Sequence, residues 1–352
     1  MSTALRPSGY FDTTYQQTLR IIYTPWQWIA WICFLLFLVI FPLFSSAYIL
    51  TAAIRIGITI ITVIGLNIVV GNTGLLNVGH AAFMAVGAYC SAMLMTKAGF
   101  NFFPALLAAG LAGSLAGLIF GAPSLRVKGF YVALATLAGH FIVIWALMEW
   151  FGGHTGHPAP RPRIFGFIFD SDISYYYLVG ALTLFLALFA RNILRSNVGR
   201  AFVAIRDHDI AAEILGVNLY RYKLYSFAIG CFYAGIAGAL LGHFWSFTNI
   251  EAFPFGDAIW YLGMVIVGGM GSVLGSVFGA VFFIVVEEAT LNVSPIITAL
   301  FPSMSALGQM EAALKWLIFA VIIILFVIFE PNGMAHRWNL IKASFRLFPF
   351  NY

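Results

Sequence analysis

Charge is scarce in this chain. Asp, Glu, Lys and Arg make up only 9% of its 352 residues, against about 25% in an ordinary soluble domain. A fold with so little polar surface would expose apolar patches larger than water tolerates, which excludes a soluble globular protein. Cysteine is equally sparse. Cys33, Cys90 and Cys231 each fall inside an apolar run, without the paired spacing of a metal site or a disulfide framework, and read as small packing residues. Catalytic signatures are missing as well: there is no nucleophile elbow, HExxH, paired catalytic carboxylates or phosphate-binding Walker loop. A chain without that loop leaves any ATP hydrolysis to another polypeptide. A cleavable leader is not expected, because the first 25 or so residues are polar and no small-residue cleavage site follows the run that starts near Trp26.

What is abundant is apolar residue, at 62%. A membrane-spanning helix needs about 20 such residues, and the runs predict spans near 26–45, 47–70, 74–96, 102–122, 127–150, 175–194, 221–245 and 312–330. Between the last two lies a broken pair, 256–270 and 272–287, which either crosses twice or forms one re-entrant hairpin. The expected fold is therefore all-α and polytopic, with about 8–10 transmembrane helices including broken or re-entrant segments. Thirteen of the eighteen lysines and arginines fall on one side if the N-terminus is cytoplasmic, so the positive-inside rule predicts N-in, C-in topology. The expected division is a cytoplasmic segment 1–25, a membrane domain 26–335 and a cytoplasmic tail 336–352.

One inner segment is long, charged and helix-favouring. From Arg200 to Leu215 it predicts a helix of about 16 residues ended by Gly216. Phe202, Ile205, Ile210 and Ile214 can form its apolar side. The simpler reading is a surface helix linking two spans; the other is a docking element for a partner. Two glycine-rich breaks stand out, Gly71–His80 and Gly268–Gly279. Broken helices persist in a membrane only where protein or water satisfies the freed backbone, and one break in each half points to a substrate route. Close packing through small residues is the competing explanation. Intramembrane polar groups are few: Asn67, Asn77, His80, Thr136, His140, Glu149, His243 and the pair Glu287–Glu288. No buried charged relay over several helices is expected from them, and the histidines, on separate spans, make no matched pair for a heme.

At these residues the chain resembles the LivM-type permeases of branched-chain (hydrophobic) amino-acid ABC transporters. Gly74–Tyr89, Leu125–Leu137, Gly199–Gly216 with Arg221–Leu224, Gly268–Ser272 and Glu330–Gly333 are similar to that family's motifs, in order, over about residues 50–334. Asn77 departs from a usual serine and Ser276 from a common proline, and the outer loop carries His154 and His157 where glycine, serine and aspartate are more usual. The resemblance implies a multi-pass permease of the bacterial inner membrane. Its partners would be a second, LivH-like permease, two cytoplasmic ATPases that bind ATP and Mg, and an extracytoplasmic binding protein; nucleic acid is not implied, and neither is a cofactor on this chain. It implies a coupling helix at about 199–217, with Arg200, Arg206, Asp207, Ala211, Glu213 and Gly216 as ATPase-coupling positions. Asn77, His80, Thr136, Gly269 and Ser272 become candidates for the substrate pathway. The alternative is a stand-alone secondary transporter or channel for a small organic solute.

Overall fold

The computed structural model describes residues 25–124, 129–152, 155–164, 167–300 and 311–347. The expected cytoplasmic segment up to Thr24, residues Leu125–Lys128 of the second motif, His154 and the last five residues lie outside them. The described chain is a helical bundle, with two short β-pairs of two residues per strand on its loops. Its helices are α1 (Pro25–Phe44), α2 (Ala47–Asn67), α3 (His80–Lys97), α4 (Phe102–Ser124), α5 (Phe130–Trp150), α6 (Asp172–Arg195), α7 (Asn197–Asp207), α8 (Asp209–Ile214), α9 (Leu219–Trp245), α10 (Phe255–Gly268), α11 (Val273–Leu300), α12 (Glu311–Phe329) and α13 (Gly333–Leu347). Among the described residues, seven helical stretches are long and apolar enough to cross a membrane, and eight if the bent pair α12–α13 counts as one. The chain is an all-α polytopic membrane protein.

Helix α2 is the axis of the bundle. Its C-terminal half, from Ile58 to Asn67, is wholly buried, and α6, α9, α10 and α11 pack around it. Helices α3, α4 and α9 make the tightest contact. A Cβ on Gly238 would lie 1.9 Å from the Met84 carbonyl, and one on Gly87 would lie 2.1 Å from that of Gly235. Lipid tails are as apolar as leucine, so helices in a membrane associate by such backbone approach rather than by hydrophobic transfer. Gly238→Ala is expected to cost about 1–3 kcal/mol by overpacking, read as a lower melting temperature in detergent. Gly180→Ala, which meets open space, should leave the melting temperature in place.

Helix α1 is held loosely. Pro42 lacks an N–H and leaves the Leu38 carbonyl without its helical donor. The Tyr176 hydroxyl of α6 donates to that carbonyl at 3.1 Å, meeting the demand that lipid cannot. At the opposite end of α9, His243 sits 2.7 Å from Ser91 and 2.9 Å from the Pro160 carbonyl. It pins the Pro-rich loop to the bundle, as a hydrogen-bonded packing residue.

One expectation changes and two gain detail. Residues 74–79 are not helical, so the third helix starts at His80 rather than at 74, and it is not among the seven stretches long and apolar enough to cross. The broken pair is two helices: α10 with its 3-10 lead-in covers Ile250–Gly268 and the apolar part of α11 covers Val273–Asn292, each long enough to cross. They pack closely side by side, because a Cβ on Gly279 would lie 2.1 Å from the Met264 carbonyl and one on Gly268 2.1 Å from that of Gly275. The tail is also helical, since α13 follows α12 after a 44° bend.

Candidate functional site

The helix expected over 200–215 is broken. α7 ends at Asp207, His208 is extended at φ −162° and ψ 98°, and its side chain caps α8 by accepting from the Ala211 N–H at 3.3 Å. The break divides the expected apolar side. Phe202 and Ile205 on α7 are buried against the bundle, whereas Ile210 (56% exposed), Ile214 (81%) and Leu215 (83%) point away from it. The short helix α8 ends in a Schellman motif: Gly216 takes φ 87° and Val217 N–H donates to the Ala212 carbonyl at 3.0 Å. All six candidate coupling positions, Arg200, Arg206, Asp207, Ala211, Glu213 and Gly216, are exposed.

Arg206, exposed as well, also bonds to the bundle. Its Nη1 donates to the Gly71 carbonyl at 3.0 Å, while Nε and Nη2 hold the Asp207 carboxylate at 2.9 and 2.8 Å. Gly71 belongs to a π-turn, Ile68–Asn72, which continues α2. Here the two glycine-rich breaks meet. Gly271 N–H donates to Asn67 Oδ1 at 2.8 Å, and Asn67 Nδ2 donates to the Ser272 carbonyl at 2.9 Å and to Ser276 Oγ at 2.8 Å. Asn72 Nδ2 reaches the Gly271 carbonyl at 3.3 Å. Gly271, at φ 79°, takes a turn that an L side chain resists. Gly333, at the start of α13, lies on the same turn, since a Cβ there would sit 2.6 Å from Gly269 Cα. Three of the sequence motifs thus converge on one junction at the end of α2. Beside it, Gly74, Arg206, His208, Asp209 and Lys223 line an open cleft of about 440 Å³.

Asn67 satisfies three groups from the α10–α11 turn, and Asn67→Ala leaves them without it. A cost of about 1–3 kcal/mol is expected, measured as melting temperature. Asn72→Ala removes one longer bond and should cost less.

The five pathway candidates fall into two groups. Gly269 and Ser272 lie at the junction just described. Asn77, His80 and Thr136 are fully buried elsewhere and are occupied in holding the non-helical stretch. Asn77 Oδ1 accepts from Gly79 N–H at 3.0 Å, Thr136 Oγ1 accepts from Val78 N–H at 3.1 Å, and His80 Nε2 lies 3.2 Å from the Thr62 carbonyl. No hydrogen bond joins the two groups among the described residues.

A charged network that the sequence reading did not anticipate lies within the spans. Arg55 of α2 pairs with Glu287 at 3.1 Å and Glu288 at 2.9 Å on α11, and Lys315 of α12 pairs with Glu287 at 2.7 Å. Tyr48 donates to Glu288, and Asp257 of α10 interacts electrostatically with Arg55, Glu287 and Lys315. Of these groups only Glu287 is buried, so the network is a partly exposed ion-pair cluster rather than a buried relay, and both Arg55 and Lys315 belong to helices. The signal available was an arginine inside the apolar run 47–70, whose partners lie more than 200 residues away. Among the described residues, no group of three or more His, Cys, Asp or Glu is placed to hold a metal.

Broken spans locked together at one end and tied to an exposed short helix define a polytopic helical membrane protein. The chain belongs to the family described as the branched-chain amino acid transport system / permease component, whose model matches residues 48–328. It is 37% identical over 258 residues to the high-affinity branched-chain amino acid transport system permease protein LivM of Salmonella typhimurium, covering 66% of this chain and 61% of that protein. LivM of Escherichia coli matches at 36% over the same shares. The LivH permease protein of Escherichia coli is 27% identical over 64% of this chain and 79% of its own. No solved structure matches.

Proposed function

We propose that this chain is a transmembrane permease subunit of an ABC importer of the bacterial inner membrane, carrying branched-chain or other hydrophobic amino acids. It works beside a second, LivH-like permease, two cytoplasmic ATPases that bind ATP and Mg, and an extracytoplasmic binding protein. Its topology is N-in, C-in. The chain carries no cofactor or catalytic site of its own. One observation carries this reading: α8 presents an exposed apolar tip, Ile214 and Leu215, outside the spans, while Arg206 next to it grips the end of α2. A surface element so placed is built to receive a push and pass it on.

ATPases closing on ATP move α8; α7 carries the displacement through Arg206 to Gly71; and the junction of α2 with the α10–α11 turn shifts as a unit. The change is a rigid-body motion of packed elements about glycine turns. Asp207, Ala211, Glu213 and Gly216 rim the ATPase contact, with Arg200 on α7. Gly269 and Ser272 sit where the moving junction gates the inner end of the pathway, and Asn77, His80 and Thr136 hold the broken α3 entry that lines it.

The test is uptake of radiolabelled leucine, isoleucine and valine by vesicles containing the assembled subunits. ATP-dependent uptake, lost with a hydrolysis-dead ATPase, supports the importer. Uptake driven by an ion gradient without ATPases would instead support a stand-alone secondary transporter, the reading that Glu287 and Glu288 within a span favour.

A further inference from the structure

We propose that the outer face of α2 and α11, bearing Tyr48, Thr51, Arg55, Glu288 and Asn292, is water-filled and forms a vestibule that receives the ammonium and carboxylate of a zwitterionic amino acid. The inference rests on the importer reading and deepens it by placing the outer mouth of the route.

The argument starts from exposure. Tyr48 is 54% exposed, and the side chains of Arg55, Lys315 and Glu288 are 28%, 34% and 17% exposed. All except Lys315 belong to stretches apolar and long enough to cross a membrane, Ala47–Asn72 and Val273–Asn292. Arg55 lies about 12 Å along α2 from its outer end, at 1.5 Å per residue. Charged groups at such depth face protein or water rather than hydrocarbon. On this side of the bundle the described residues do not seal them. Tyr48, Thr51 and Arg55 fall at i, i+3 and i+7 of α2, so they form one stripe. Asn292 extends that stripe across to α11 through its 2.8 Å bond to the Glu288 carbonyl and its 3.4 Å bond to Tyr48.

The charges alternate. Arg55 and Lys315 offer sites for a carboxylate, and Glu287, Glu288 and Asp257 offer sites for an ammonium. A zwitterion inserted into such an array exchanges one set of ion pairs for another, so its two charges leave water without being left unpaired. A neutral helix of a second subunit laid over the same stripe has nothing to exchange. Behind the charges stands an aromatic wall. Trp260 and Phe319 stack at 4.3 Å between ring centroids, and Lys315 Nζ sits 4.7 Å over Trp260. That wall holds Lys315 from the buried side and leaves its ammonium directed at the network.

Thr51 is the probe, because it lies on the stripe and makes only a local bond to the Ala47 carbonyl. Thr51→Cys and, as an apolar-face reference, Ile324→Cys are made with Cys33→Ala, Cys90→Ala and Cys231→Ala. Each is reacted from outside with a membrane-impermeant cationic methanethiosulfonate, in nanodiscs holding the assembled importer. Only complexes that retain their ATPases are scored, so loss of the ATPases counts against the importer reading and not against the vestibule. The thiolate is the reacting species and forms only where water reaches it. Thr51→Cys should react at least about tenfold faster than Ile324→Cys, the effect of one unit in thiol pKa, and saturating leucine should slow it. Reaction at the reference rate in the complex, but fast in the isolated chain, would mean that the second permease covers this face, and the proposal fails. Slow reaction in both overturns it too. Fast reaction that leucine leaves unchanged removes the amino acid from the vestibule.

Discussion

Replacing Ile214 and Leu215 together by aspartate is expected to strip the ATPase subunits from the permease while leaving the bundle folded. Both side chains are more than four-fifths exposed. Surface substitutions of this kind usually change stability by less than about 0.5 kcal/mol. An apolar anchor at the centre of an interface, by contrast, contributes about 2 kcal/mol or more. Two of them correspond to about a thousandfold in affinity, enough to abolish co-purification. Co-purified ATPase and the melting temperature are read on the same sample. Retention of the ATPases at wild-type levels would place the docking surface elsewhere, with the Arg200 side of α7 as the next region to probe. Phe202→Asp is the contrasting case. Its side chain is fully buried, so the chain is expected to lose its fold rather than its partner.

Arg206→Ala should separate docking from transport. The guanidinium is turned inward to Gly71, so the exposed tip of α8 is untouched and the ATPases should still co-purify. What is lost is the strut between α7 and the end of α2. If α8 moves without displacing the junction, ATP hydrolysis continues and uptake falls by up to about a hundredfold, the upper range of coupling free energies of 1–3 kcal/mol. Arg206→Lys should not restore uptake, because one ammonium cannot hold the Asp207 carboxylate and the Gly71 carbonyl in the planar fork that Arg206 uses. Uptake at wild-type rate in Arg206→Ala would sink the strut. A charge reversal at this position, Arg206→Glu, would damage the junction as well as any partner contact.

The sequence motifs were legible because each carries a local physical demand. Gly271 and Gly74 take positive φ, and Gly71 is pressed against Asn67 and Gly271; both demands leave glycine in the sequence. Gly216 ended its helix as the sequence predicts, at a positive φ that glycine adopts freely. The inner helix was misjudged in its middle. Alanines on both sides of His208 favour a continuous helix, yet His208 caps a new one, and a cap is decided by three-dimensional contacts as much as by propensity. Asn77, His80 and Thr136 were recognisable as intramembrane polar groups, but their occupation with the backbone of residues 78–79 and 62 was not.

The apolar content and the lengths of the apolar runs were sufficient by themselves to establish a helical membrane protein, since a backbone in lipid must satisfy its own hydrogen bonds and few structures do so. They also placed the breaks and the inner charged segment, because glycine clusters and charge are local properties of the chain. The meeting of Gly71, Gly271, Gly333 and Arg206, and the pairing of Arg55 with Glu288, were decided only in the folded bundle. Asn67 and Gly271 are 204 residues apart, and helical periodicity says which face of a helix is apolar but not which distant helix will cover it.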